Sequence, residues 1–274
     1  MTALITDFVP AEIDATTWDN LQPYYTQLLD RELKCAGCLE QLILDRSELD
    51  ASADEADTNL YIAMTCNTED KAAKEAFLAF VDHVEPELKK ARFALNKKIV
   101  ACEHTQNLDQ DRFGVLLRDW GTDVDIFRDE NVLLQAEDTK LGTEYAECCG
   151  AMMVEFDGKQ RTMPQMGVYQ LEQDRERREA SWRGVAERRL QDRDKIDGMF
   201  DNMVKIRHQI AVNAGFDNFM DYMFAAKHRF DYTPDDCTAF HDAIERTCMP
   251  IIRKLEEERK SALDIDHLMP WDTT

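Results

Sequence analysis

Ile206-Arg207-His208-Gln209-Ile210-Ala211-Val212-Asn213-Ala214-Gly215-Phe216-Asp217-Asn218-Phe219-Met220-Asp221-Tyr222 reads as the end of an amphipathic helix, a glycine stop and a short aromatic helix. Upstream, Trp182, Val185, Ala186, Leu190, Ile196, Met199, Phe200, Met203, Ile206 and Ile210 recur at helical spacing, so the periodicity predicts one long helix over residues 172–213. Gly215 just beyond it can take the left-handed conformation that closes a helix. Downstream, Thr233-Pro234-Asp235-Asp236 combines a hydroxyl cap, a proline at the first helical position and two acids at the positive end of the helix dipole. That start predicts a helix to about Leu263, kinked or broken by Pro250.

The first half of the chain is also helical by period. Leu21, Tyr24, Tyr25, Leu28, Leu29, Leu33, Leu39, Leu42 and Ile43 mark a helix over 18–49, and Ser52 and Asp54 are read as opening the next. Thr68, followed by Glu69 and Asp70, caps a long helix running to about Cys102 with a bend at Pro86, and two further helices cover about 111–127 and 128–149. Only residues 153–162 alternate like strands. Asp157-Gly158 at their centre is a type I′ turn pair, and Pro164 ends the hairpin.

Composition narrows the function classes. With 44% apolar residues, 10 Gly and 7 Pro, the chain has the make-up of a packed helical protein rather than a disordered one. The formal charge of −22 disfavours nucleic-acid binding. Much of that acidity lies in residues 1–70, with 15 acids against 3 bases, whereas residues 172–213 are nearly balanced, with 9 against 10. No apolar run approaches the ~18 residues of a membrane span. Met1–Asp7 lacks the character of a secretory signal, and eight cysteines fall short of a disulfide scaffold, so a cytoplasmic protein is expected.

Three pieces in order then resemble the M3 family of zinc metallopeptidases, in its oligoendopeptidase F branch. They are the hairpin followed by Gln173-Asp174-Arg175-Glu176-Arg177-Arg178; Ile206-Arg207 to Ala211 leading into Gly215-Phe216, Phe219 and Tyr222; and Tyr232-Thr233 through Pro250 to Leu268-Met269-Pro270-Trp271-Asp272. They cover about residues 150–272, and Met269 stands where the family usually has arginine. The resemblance implies a mainly α, elongated helical bundle with one short β-hairpin. It implies a helical N-terminal domain over residues 1–171 and the beginning of the catalytic domain over 172–274. It further implies a zinc-dependent enzyme that hydrolyses short peptides in an enclosed cavity, whose His-Glu-x-x-His helix lies C-terminal to everything present here. None of His83, His104, His208, His228, His241 and His267 is followed by Glu. No catalytic, cofactor-binding or metal residue is therefore assigned to this chain, and zinc belongs to the full-length family only. The chain alone is expected to be inactive and to partner a C-terminal catalytic half. An apolar patch around Phe216, Phe219, Met220, Met223, Phe224 and Leu268–Trp271 is expected to face that half.

Other constellations have plainer readings. Cys237, His241, Glu245 and Cys248 share a helix face, but the two cysteines lie roughly 16 Å apart along its axis, too far to hold one ion. Cys35-x-x-Cys38 has redox spacing but is placed by the periodicity inside a helix, and Cys148-Cys149 reads as packing. The arginines between Arg175 and Arg193 alternate with acids, as on a solvated helix face. Met199, Met203, Met220 and Met223 read as gap-fillers of the core. The alternative function is a non-catalytic acidic helical scaffold derived from an M3 peptidase.

Overall fold

The structure is a computed structural model and describes residues 8–273; the segment read above for a secretory signal lies outside them. In chain order the elements are α1 (Trp18–Asp30), α2 (Ala36–Cys66), α3 (Lys71–His83), α4 (Glu85–Val100), α5 (Gln110–Ile126), α6 (Asp129–Gly150), β1 (Met153–Phe156), β2 (Lys159–Thr162), α7 (Met163–Met166), α8 (Arg175–Gln191), α9 (Arg193–Asn213), α10 (Phe219–Ala226), α11 (Pro234–Thr247) and α12 (Met249–Leu263). Among the described residues the fold is mainly α with a single two-stranded sheet. Among the described residues no helix is long and apolar enough to cross a membrane.

Several helix boundaries differ from the period-based reading, each for a local reason. The chain leaves α1 at Arg31 in extended conformation, and Cys35 caps α2 by accepting the Cys38 N–H on its sulfur at 3.2 Å. The same helix passes through Ser52 without interruption, because that hydroxyl folds back to donate to the Glu48 carbonyl instead of capping a new start. Asp70, rather than Thr68, caps α3 by accepting the N–H groups of Ala72 and Ala73. Pro86, lacking an N–H, sits in the first turn of α4 and places the break at Val84. The long helix over 172–213 is two helices. At Asp192 the backbone N–H turns to the Arg189 carbonyl, and the carboxylate takes Arg188.

The chain divides into two compact units. One comprises residues up to Thr143 together with Met203–His228, and the other Glu144–Asn202 together with Arg229 onward. In the first unit, α1, α2 and α4 bury Leu21, Leu28, Leu39, Leu42, Leu49, Leu95 and Ile99 completely. Inside this apolar core lies a charged network. Asp50 of α2 accepts from Tyr25 of α1, from Arg46 Nε at 3.1 Å and from Arg92 Nε of α4 at 2.9 Å. Arg46 also donates to Asn96 Oδ1 of α4 at 2.6 Å and lies 4.1 Å from the ring centre of Trp120 on α5. Burial lowers the Arg46 pKa, and burial followed by the Asp50 charge pushes the Tyr25 hydroxyl far up. Burial opposes the charge of Arg92 as well, but Asp50 and Tyr25 outweigh it and the pKa rises.

The same unit holds the stretch of residues 206–222. Gly215, at φ +90°, closes α9 in a Schellman arrangement, with Phe216 N–H donating to the Ala211 carbonyl and Gly215 N–H to that of Val212. This reversal folds α10 back, so that Phe216, Phe219 and Met223 pack on buried Ile210, Ala211 and Tyr222.

In the second unit the hairpin has the expected turn. Asp157 and Gly158 both have positive φ, at 52° and 68°, and the register pairs Phe156 with Lys159 and Val154 with Arg161. Pro164 does end the strand, and it also opens α7, which Thr162 and Gln165 cap reciprocally.

Replacing Asp50 by Ala leaves the Arg46 guanidinium buried without its carboxylate, and this should destabilise the first unit by about 3–5 kcal/mol. The check is the urea midpoint of that unit's unfolding, which should fall well below that of an Asp54→Ala control at the exposed end of the Arg92 pairing.

Candidate functional site

The most strongly built polar site of the second unit joins α8 to the segment Pro270–Asp272. Arg175 holds Asp272 with two parallel hydrogen bonds, Nε to Oδ1 at 2.9 Å and Nη2 to Oδ2 at 2.8 Å. The Met269 N–H adds a third at 3.0 Å and Arg178 a fourth at 3.4 Å. Arg178 further donates to the carbonyls of Trp271, Glu172 and Gln173, and Arg259 of α12 donates to the carbonyl of Asp272. Trp271 is buried against Trp182 at a ring separation of 5.6 Å, with the Arg183 guanidinium 4.9 Å from its ring. Hydrogen bonds from Arg175 hold the Asp272 carboxyl below the usual carboxylate range even though burial pushes the other way.

This clamp corrects two expectations. Trp271 is not part of an exposed patch, because the arginines and Trp182 enclose it. Met220 is exposed, but Phe216, Phe219 and Met223 are half-buried in the core of the first unit. The α8 arginines are also more than a solvated face. Arg183, Arg188 and Arg193 do form i,i+4 pairs with Glu179, Asp192 and Asp197, but Arg175 and Arg178 grip Asp272, while Arg177 bridges Glu172 and the hairpin residue Asp157. Helical spacing showed which arginines could pair within α8. Nothing in it showed that a segment more than ninety residues on would supply the acid.

Exposed apolar side chains occur on several elements, Leu171, Leu190 and Phe200 among them, and α11 and α12 carry a set of their own. Neither helix has a buried residue, although each carries an apolar stripe: Phe240 and Ile244 on the first, Ile251, Ile252 and Leu255 on the second. Phe240 and Ile251 are 64% and 60% exposed, values usual for charged surface residues and costly for large apolar ones.

In the first unit a cavity of about 250 Å³ is lined by Phe93, Asn96, Asp123, Phe127, Gln135 and Tyr222. The phenyl rings of Phe93 and Phe127 stack at 4.0 Å, and Gln135 donates to the Tyr222 hydroxyl at 3.4 Å. The cations on its rim are already held: Lys89 by Glu85, Arg92 by Asp50 and Asp54, and Arg128 by the carbonyls of Asp125, Phe127, Asn213 and Ala214. It is small for a peptide and offers no uncommitted cation to a carboxylate.

The cysteine and histidine constellations take these places. Cys237 is half-buried on α11, His241 and Glu245 are exposed, and Cys248 stands exposed between α11 and α12. Cys148 is buried with Met152 and Met199, beside half-buried Cys149. Cys35 precedes α2 instead of lying within a helix, a position that periodicity could not resolve. Among the described residues no three His, Cys, Asp or Glu side chains gather as a metal centre.

With this geometry in place, the comparisons give the family. A model of the peptidase M3 N-terminal domain matches residues 8–127, and a model of peptidase family M3 matches residues 168–274. The chain belongs to peptidase family M3, a family of zinc metallopeptidases. Among solved structures, Pz peptidase A with an inhibitor superposes with a TM-score of 0.88 at 22% identity, over 93% of this chain and 45% of that one. A protein described as an oligoendopeptidase F from Bacillus anthracis str. Ames gives 0.87 at 20%, over 93% and 47%. The oligoendopeptidase-F from Enterococcus faecium gives 0.70 at 13%, over 93% and 55%. These likenesses establish the fold, and the chain spans about half the length of each structure. The search of curated proteins gave no match.

Substituting Asp272 by Asn should cost about 2–4 kcal/mol at neutral pH, since a charged acceptor is lost beneath two arginines. A carboxyl with a depressed folded pKa contributes stability that is present above its unfolded value of about 3.9 and is lost as pH falls through the folded one. The stability gap between wild type and variant, followed by denaturant titration from pH 7 to pH 3, should therefore narrow below about pH 4.

Proposed function

We propose that this chain forms the N-terminal portion of a zinc-dependent oligoendopeptidase, with residues 1–171 as a helical N-terminal domain and 172–274 as the start of the catalytic domain. Its role is to wall the cavity in which a short peptide lies over a metal held by a C-terminal half, and it is inactive alone. The observation that carries this reading is the unburied apolar stripe on α11 and α12 within a region that matches the M3 family. Such a stripe asks for a partner surface, and the solved structures of the same fold are about twice as long as the part this chain matches. The chemistry would come from the partner half: a zinc ion and a carboxylate base acting on water. The contribution of this chain is orientation and enclosure, which confine the peptide near the metal and keep folded proteins out.

Mixing this chain with an M3 C-terminal half that carries His-Glu-x-x-His should produce cleavage of a quenched fluorescent peptide of roughly ten residues, abolished by a chelator. Neither half should cleave alone, and a folded protein substrate should survive. A C-terminal half as active alone as in the mixture, or halves that do not bind each other, would overturn the reading.

The docking surface is tested separately. The Phe240→Glu and Ile251→Lys double variant should keep its own fold, because both side chains are solvent-exposed, yet lose tenfold or more in affinity for the C-terminal half. Isothermal titration against that half, with circular dichroism of the free variant, separates the two effects.

A further inference from the structure

A pair of neighbouring cysteines that the proposed peptidase role does not use stands at the start of α2. Cys35 is exposed and extended, with φ −161° and ψ 165°, and its sulfur accepts the backbone N–H of Cys38 at 3.2 Å. Cys38 is one helical turn further on and half-exposed. Between them stand Ala36 and Gly37; even a side-chain carbon built on Gly37 would come no nearer than 3.9 Å to the Cys35 sulfur. Cys35 stands outside the helix in extended conformation, so its side chain is not held at the Cβ spacing of about 5–6 Å that separates helical residues three apart, a spacing wider than a disulfide spans. Two cysteines thus share one accessible helix start, with the positive end of a 31-residue helix beneath the outer one.

We propose that Cys35 and Cys38 form a thiol–disulfide exchange site that reacts with small-molecule disulfides of the glutathione class, Cys35 being the attacking and Cys38 the resolving thiol. The hydrogen bonds from Cys38, its thiol first and then its backbone N–H, hold the Cys35 pKa below the usual thiol value, so its thiolate is the more available nucleophile. The Cys35 thiolate attacks one sulfur of RSSR, forming a Cys35–S–S–R mixed disulfide and releasing RS⁻. The Cys38 thiolate then attacks the Cys35 sulfur, forming the Cys35–Cys38 bond and releasing the second RS⁻. The two protons given up by the cysteines go to the two RS⁻, and two electrons pass from the dithiol to the small disulfide. Oxidation therefore alters the cap of α2, since the sulfur that accepts the Cys38 N–H becomes part of a disulfide.

The sequence supplies a clean readout. Trypsin cuts after Lys34 and after Arg46, giving a peptide that contains Cys35 and Cys38 and no other cysteine. Cys66, the last residue of the same helix and likewise exposed, is an internal control at the carbonyl end. The full chain is incubated in oxidised glutathione at pH 7, quenched with an alkylating agent and mapped by mass spectrometry. The 35–46 peptide should lose two hydrogen atoms before Cys66 is modified, with a rate at least about tenfold higher. Cys38→Ser should accumulate glutathione on Cys35. Cys35→Ser retains a good helix cap and should leave Cys38 slow to react. Modification of Cys66 as fast as Cys35, or a stable Cys35–glutathione adduct in the wild-type chain without closure to Cys38, would overturn the proposal. Neither outcome bears on the peptidase reading, because the exchange is measured on this chain alone and without a peptide substrate.

Discussion

Asp50 is the interaction on which the first unit turns. One carboxylate takes hydrogen bonds from α1, α2 and α4, and through Arg46 it reaches Trp120 on α5. The apolar side chains around it would pack in many registers, since leucines on neighbouring helices are nearly interchangeable. A buried, fully partnered charge is not interchangeable: sliding any helix by a turn would leave Arg46 or Asp50 without a partner in a medium that penalises it heavily. The network thus selects one arrangement among those that hydrophobic burial alone would permit.

The second unit uses the same device in another form. Asp272, fully buried, is held by Arg175 and Arg178, and the indole of Trp271 fills the space beside them. The clamp fastens the segment after α12 to the first turns of α8, and Arg259 of α12 joins it. Because polar contacts do this work, the apolar stripes of α11 and α12 are left without cover.

That division of labour connects fold to proposed function. Charged, geometrically specific contacts fasten the chain to itself, while extended apolar surface remains available for a second body. A wall that must meet another half benefits from being rigid beforehand, because ordering on association would subtract from the affinity. The helix caps contribute to that rigidity; Asp70, Asp109, Asp174, Asn218 and Thr233 each accept N–H groups that would otherwise be unpaired.

The helical class, the hairpin at Asp157-Gly158, the stop at Gly215 and the start at Thr233-Pro234 were determined by the sequence alone. Each depends on local backbone preference or on a period that a short window contains. The family resemblance was legible for a related reason, since its motifs are strings of such local signals. Helix breaks at Arg31–Cys35, Val84 and Asp192 were blurred, because apolar periodicity continues across a kink when both sides face one core. The partners of Asp50, Arg46, Arg175 and Asp272 were decided only by the tertiary structure, since a charge shows its sign in the sequence but not which distant charge burial will force upon it. The same holds for Cys35. Its spacing to Cys38 was plain, and its position before the first turn of α2, which gives the sulfur an N–H to accept, depended on where the chain turned.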